Sequence, residues 1–175
     1  FTVATYSRTT TPDVQVELTY EGIDFLGAPN LVTLDLSYNK ITRLDLRNFK
    51  KLTNFTANHN RILATVLFPD GSTELRNIDL SDGDITHFYP VSLPNLRYLN
   101  LANGSLLELE LGNNYPELRD VDITGNVGIT SIDVTQQTKL EKLLIKGTKI
   151  TELNLINNPE LIMLDASNTD IAKLD

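Results

Sequence analysis

The chain has 175 residues, 41% hydrophobic and 22% charged, with no cysteine and a net charge of −8. That acidity argues against a nucleic-acid binder, which would offer a basic face to phosphates, and against docking on anionic lipid. The lack of cysteine excludes a disulfide framework and any cysteine-based zinc site, and no stretch of about 18 apolar residues is present to span a membrane.

Residues 1–30 carry no repeat. Val14 to Tyr20 alternates strictly and reads as a strand, bounded by Thr11-Pro12-Asp13 and Glu21-Gly22, with Phe1 to Tyr6 as its expected hairpin partner. The segment is expected to be an N-terminal β cap or the end of a preceding domain. From Leu31 a pattern sets in. Counting Leu31 as position 0, apolar residues stand at positions 0, 3, 5 and 10 (Leu31, Leu34, Leu36, Ile41) with Asn39 at position 8. Further copies start at Leu52, Leu75, Leu96, Leu118, Leu140 and Leu161, the last one partial, with spacings of 21, 23, 21, 22, 22 and 21 residues. In the second copy Ile62 takes the last apolar place; in the fifth, one residue is inserted before Ile129.

Alternation at positions 3 and 5 turns two apolar side chains inward from a short strand. Successive copies then pair in parallel at about 4.8 Å. The position-8 side chain enters the core to satisfy turn backbone that no strand can reach. Asn39, Asn60 and Asn126 can do so; Thr148 and Thr169 can substitute through a hydroxyl, whereas Gly83 and Gly104 cannot. Water or altered backbone is expected to fill that gap, and Asn39→Ala is expected to cost about 1–3 kcal/mol. On the far side of each copy, triplets such as Leu44-Asp45-Leu46 and Ile132-Asp133-Val134 keep period 2, so short strands or extended segments are expected there, with few or no helices. The second copy departs from this and ends in Pro69-Asp70-Gly71-Ser72, where a turn should bulge.

These residues place the fold as a leucine-rich repeat solenoid, mostly β, with a parallel concave sheet. Leu31 to Asp175 resembles the repeats of bacterial secreted and cell-surface proteins, and Leu34 to Leu46 looks most like the short repeats of gut-anaerobe surface proteins, with internalins as more distant relatives. The resemblance implies an extracellular or surface location and a role in binding proteins or adhering to host surfaces. The last copy stops mid-coil and would leave an open edge, so further repeats or a domain are expected beyond residue 175. The broken asparagine ladder and the lack of a helical cap in residues 1–30 depart from the internalin pattern.

No catalytic set converges. His59 and His87 fall on different parts of their copies, and Ser81-Asp82-Gly83-Asp84 lacks the further ligands of a calcium loop. No cofactor or metal is expected. The outward concave columns hold the candidates. One reads Asp35, Thr56, Asp79, Asn100, Asp122, Leu144, Asp165, the other Thr33, Asn54, Asn77, Tyr98, Asp120, Lys142, Met163. The acids are expected to serve stability first, alternating with neutral residues to avoid like-charge opposition, and Asp120 to be neutralised by Lys142. Partner contacts are assigned to Asp79, Tyr98, Asn100 and Asp122, with Tyr38 and His59 as further aromatic anchors. Leu144 and Met163 should form an exposed apolar patch that binds a partner or packs on further chain. The sequons at Asn54 and Asn103 read as chance matches in a bacterial protein. The expected function is a non-enzymatic interaction or adhesion module with a protein or glycoprotein partner. A structural spacer arm and a carbohydrate-binding surface module are the alternatives.

Overall fold

The computed structural model describes residues 30–88 and 92–174, together with the backbone of 3–5. One face is an eight-stranded parallel sheet. Its strands are β1 (Val3–Thr5), β2 (Thr33–Asp35), β4 (Asn54–Thr56), β6 (Asn77–Asp79), β8 (Tyr98–Asn100), β10 (Asp120–Asp122), β11 (Lys142–Leu144) and β13 (Met163–Asp165), side by side in that order. Each strand is three residues long because only the middle one, Leu34, Phe55, Ile78, Leu99, Val121, Leu143 or Leu164 in the seven repeats, must face inward before the chain turns. The register locks like to like, Leu34 beside Phe55 and Phe55 beside Ile78, so the core is a set of stacked apolar rows.

The hairpin expected between the first residues and Val14–Tyr20 rests on a segment that is not among the described residues. Val3–Thr5 pairs in parallel with Thr33–Asp35, as a coil of the solenoid would.

The convex side carries the expected period 2 in three separate two-stranded sheets: β3 (Arg43–Asp45) with β5 (Thr65–Leu67), β7 (His87–Phe88) with β9 (Glu108–Leu109), and β12 (Glu152–Leu153) with β14 (Lys173–Leu174). In the fifth coil Ile132 and Val134 point inward without forming a strand. The helical content of the described residues is one 3-10 turn, Gly112–Asn114. The longer second repeat turns at Asp70-Gly71, with Gly71 at φ +68°, and separates β5 from β7. A groove of about 630 Å³ opens there, floored by Phe68, Leu80, Ile85 and Phe88. Beneath it Phe55, Phe68, Phe88 and Tyr115 follow one another at centroid distances of 6.0, 5.7 and 6.3 Å, filling the wider coils with aromatic volume.

Two expectations fail here for one reason. Ile62 is 49% exposed, and its neighbour Leu63 is fully buried in its place. After Asn60 the turn closes by Leu63 N–H to Asn60 O at 2.8 Å, as Ile129 N–H closes on Asn126 O at 3.3 Å in the fifth coil. Both coils loop out one extra residue. Both therefore bring their asparagine deeper, and it serves the preceding coil as well as its own. Asn60 donates to Ala57 O and Leu36 O, each at 2.9 Å, and accepts from Ile41 N–H at 3.0 Å. Asn126 donates to Ile123 O at 2.9 Å and Leu101 O at 2.8 Å, and accepts from Leu106 N–H at 2.9 Å.

The expected water or altered backbone is thus not what occupies the place vacated at Gly104. The Asn126 amide lies there, and a Cβ on Gly104 would meet its Oδ1 at 3.0 Å. A Cβ on Gly83 would instead meet the Leu80 carbonyl at 3.0 Å. Thr148 and Thr169 do substitute by hydroxyl, donating to Ile145 O at 2.7 Å and Ala166 O at 2.8 Å. A second polar row follows where the later coils return to the concave face. Gln137 reaches Gly112 O at 2.7 Å, and Asn158 reaches Val134 O and Gln137 O at 2.9 and 2.8 Å. In the seventh coil Leu161, Leu164, Ala166 and Ile171 are only partly buried.

Candidate functional site

The concave face is built from outward residues at both ends of each strand. Asp35, Asp79, Asn100, Asp122 and Asp165 share one local device. Their Oδ1 accepts the backbone N–H two residues on, from Ser37, Ser81, Ala102, Thr124 and Ser167, at 2.9–3.0 Å. This Asx turn ends the strand and starts the descent into the coil. Asp45, Asp133 and Asn154 repeat it at the back, at 3.1, 2.9 and 3.0 Å. The acidic bias of the concave column therefore has a structural cause, and the carboxylates it leaves on the surface are held rather than free to rotate.

These contacts predict acid sensitivity. Arg47, chiefly through its side chain, holds the Asp45 carboxyl below its usual range, while the Thr135 hydroxyl and then its backbone N–H do so for Asp133. A carboxylate whose folded pKa is lowered contributes stability above its unfolded value, about 3.9 for aspartate, and loses it as pH falls through the folded value. Thermal unfolding followed by circular dichroism should show the melting temperature falling below about pH 4. Asp133→Asn keeps the Oδ1 acceptor without the charge, so it should flatten that fall. An unchanged slope would contradict this origin.

The register brings Asp79, Asn100 and Asp122 side by side on β6, β8 and β10, and sets Tyr98 between Asn77 and Asp120 on the same face. The four principal candidates thus form one patch. Tyr98 is half-buried, and its hydroxyl pKa is raised first by that burial and then by Asp79, with smaller contributions from Asp122 and Asp120 against a lowering hydrogen bond with Asn100. Asp120 lies beside Lys142 in register, yet no ion pair joins them among the described residues, so the expected neutralisation is not made by contact. The expected apolar pair is uneven: Met163 is 49% exposed whereas Leu144 is half-buried.

Tyr38 and His59 lie off the strands, on the turn that follows. There every repeat has a positive φ at the same place: Tyr38 (59°), His59 (54°), Asp82 (54°), Asn103 (55°), Gly125 (76°), Gly147 (72°) and Asn168 (55°). Glycine and asparagine tolerate this left-handed conformation, aspartate and histidine adopt it more readily than most, and a bulky tyrosine is strained in it. Contacts hold Tyr38 and His59 in place. The rings lie 4.3 Å apart, and His59 Nδ1 is 3.0 Å from Asp82 Oδ2, leaving Tyr38 60% exposed at the lip of the concave face. Sequence reasoning singled out the two rings but not Asp82. The run Asn103, Gly125, Gly147, Asn168 at one position was the available signal for the turn. His87 sits apart on β7, 3.5 Å from Glu108, and no group of three potential metal ligands occurs among the described residues.

Parallel stacking of about seven turns, the near absence of helix and the inward leucines make this chain a leucine-rich-repeat solenoid. No family model matches it. It is similar to the functional domain of InlJ from Listeria monocytogenes, with 30% identity and a TM-score of 0.64 over 87% of this chain and 38% of that one. That domain is described as including a cysteine ladder; here, with no cysteine, the ladder is of asparagine and threonine. Chaoptin of Drosophila melanogaster is 30% identical over 148 residues, 77% of this chain and 11% of chaoptin. A stretch of 54 residues is 46% identical to part of the L-Ala-D/L-Glu epimerase of Bacteroides thetaiotaomicron, covering 28% of this chain and 14% of that protein. The chain spans only a small part of these curated relatives. No helix among the described residues is long and apolar enough to cross a membrane.

Proposed function

We propose that the chain is a non-enzymatic interaction module that binds a protein or glycoprotein partner on its concave face, at Asp79, Tyr98, Asn100 and Asp122, with Tyr38 and His59 at its lip. Leucine-rich-repeat domains generally mediate protein–protein interaction, which supports the class of function. The observation that carries the choice of face is the assembly of Tyr98, Asp79, Asn100 and Asp122 into one patch by the register. Aromatic anchors dominate interface energies, and side chains already held in place lose little entropy on binding. The likeness to the InlJ domain and to chaoptin favours an extracellular or surface-attached setting.

Capture of extracellular-matrix and cell-surface proteins on the immobilised chain tests this reading. Tyr98→Ala and Asp122→Ala should each weaken retention of the captured partner at least about tenfold, the loss typical of an interface hot spot. Glu110→Ala on the convex side should leave it unchanged. The reverse pattern would move the binding face to the other side of the solenoid.

A further inference from the structure

Tyr98 is the sole aromatic side chain among the outward residues of the described concave strands. It has Asp120 directly beside it on β10, and Asp79 and Asp122 stand diagonally across the neighbouring strands β6 and β10. Diagonal neighbours on one sheet face lie roughly 7–8 Å apart, so the ring is flanked by carboxylates on both sides. The carboxylates are fixed: Asp79 Oδ1 takes both the Ser81 N–H at 3.0 Å and the Ser81 hydroxyl at 2.7 Å, and Asp122 Oδ1 takes the Thr124 N–H at 2.9 Å. None of the three acids forms an ion pair with a lysine or arginine among the described residues. A π face with carboxylates around it, none of them paired to a lysine or arginine among the described residues, is complementary to an organic cation.

We propose that the concave patch recognises an arginine side chain of its partner, the guanidinium laid on the Tyr98 ring and hydrogen-bonded to Asp122, with the charges of Asp79 and Asp120 adding to its attraction. Guanidinium is preferred to ammonium because its plane stacks on an aromatic ring while its edge meets carboxylates in fork geometry. Lys142 and Lys146 of the next coil set a polarity along the face, so the arginine sits in coils three to five with the partner's acidic residues over coil six. The raised hydroxyl pKa of Tyr98 agrees with a ring that is partly desolvated and surrounded by negative charge. This inference rests on the concave-face reading and adds the chemistry of what that face reads.

The test is a titration of the 15N-labelled chain with a capped peptide, Gly-Gly-Arg-Gly-Gly, and with its lysine and citrulline counterparts, followed by amide chemical shifts. The arginine peptide should give saturable shifts centred on Asn77, Tyr98, Asn100, Asp120 and Asp122. Binding should weaken at least tenfold with Tyr98→Ala and with Asp122→Asn, which retains the Asx turn as Asn100 does, and persist with Tyr98→Phe. Citrulline, neutral but of the same shape, should not bind. Shifts spread evenly over carboxylates such as Asp70, Glu108 and Asp170, or indifferent to Tyr98→Ala, would overturn the proposal, and equal binding of the lysine peptide would overturn the choice of guanidinium. If Tyr98→Ala abolishes partner capture while the arginine peptide finds no site, the arginine inference falls and the concave reading stands. If the peptide binds at Tyr98 but partner capture is untouched by the concave variants, the concave reading is the one that falls.

Discussion

Asn60→Ala should lower the free energy of unfolding by about 2–4 kcal/mol, because it strips partners from the buried Ile41 N–H and Ala57 O together. Asn60 is fully buried and spans two coils, so its amide stands in for backbone pairing that the turns of both coils lack. Asn39 stands in the same motif position but is only half-buried, and its contact with Leu36 O at 3.0 Å is duplicated by Asn60 at 2.9 Å. Asn39→Ala should therefore cost about 1 kcal/mol, at the low end of the range the motif alone suggests. Urea unfolding at constant m-value measures both. Equal losses would mean that each asparagine serves its own coil alone.

The second large effect runs against the motif. Gly104→Asn restores the signature residue, yet it should destabilise the chain by about 1–3 kcal/mol through overpacking. The space is taken: a Cβ at 104 would stand 3.0 Å from Asn126 Oδ1 and 3.3 Å from Leu101 O. Asn126 cannot withdraw cheaply, since its amide holds Leu101 O, Ile123 O and the Leu106 N–H. Asn126→Gly alone should also destabilise, by leaving those groups unpaired. Combined with Gly104→Asn it should cost less than the sum of the two, by about 1 kcal/mol, because one amide then replaces the other. Strict additivity would show that the two sites do not share a cell.

The solenoid was legible because its physics is periodic. A leucine that recurs every 21–23 residues with alternation between has one economical folded solution, and the register followed from it. The ladder was legible only in part. Ile62 and Leu63 are both apolar, so the sequence pattern could not tell which one the turn would loop out, and the choice decides how deeply Asn60 enters. That Asn126 fills the place of Gly104 depends on contacts between coils, which spacing within one coil does not encode. The Asx turns, by contrast, were written openly as Asp35-Leu36-Ser37, Asp79-Leu80-Ser81, Asp122-Ile123-Thr124, Asp133-Val134-Thr135 and Asp165-Ala166-Ser167. Reading that spacing as a turn explains the acids as strand terminators before any ligand is invoked. The grouping of Tyr98 with Asp79 and Asp122 was legible from the repeat count, since equal positions on adjacent strands become neighbours. The absence of a contact between Asp120 and Lys142 was not, because adjacency in register does not fix side-chain rotamers. The strain at Tyr38 became visible only with backbone angles, although the glycines and asparagines of the later repeats mark the place.

The most direct measurement of the central claim, that the concave face does the binding, is site-directed photocross-linking with the captured partner. A photoreactive side chain at Asn77, exposed on β6 beside Tyr98, is compared with one at Glu110, exposed on the convex side. The account predicts a covalent adduct from position 77 and none from position 110. An adduct from 110 with none from 77 would contradict it.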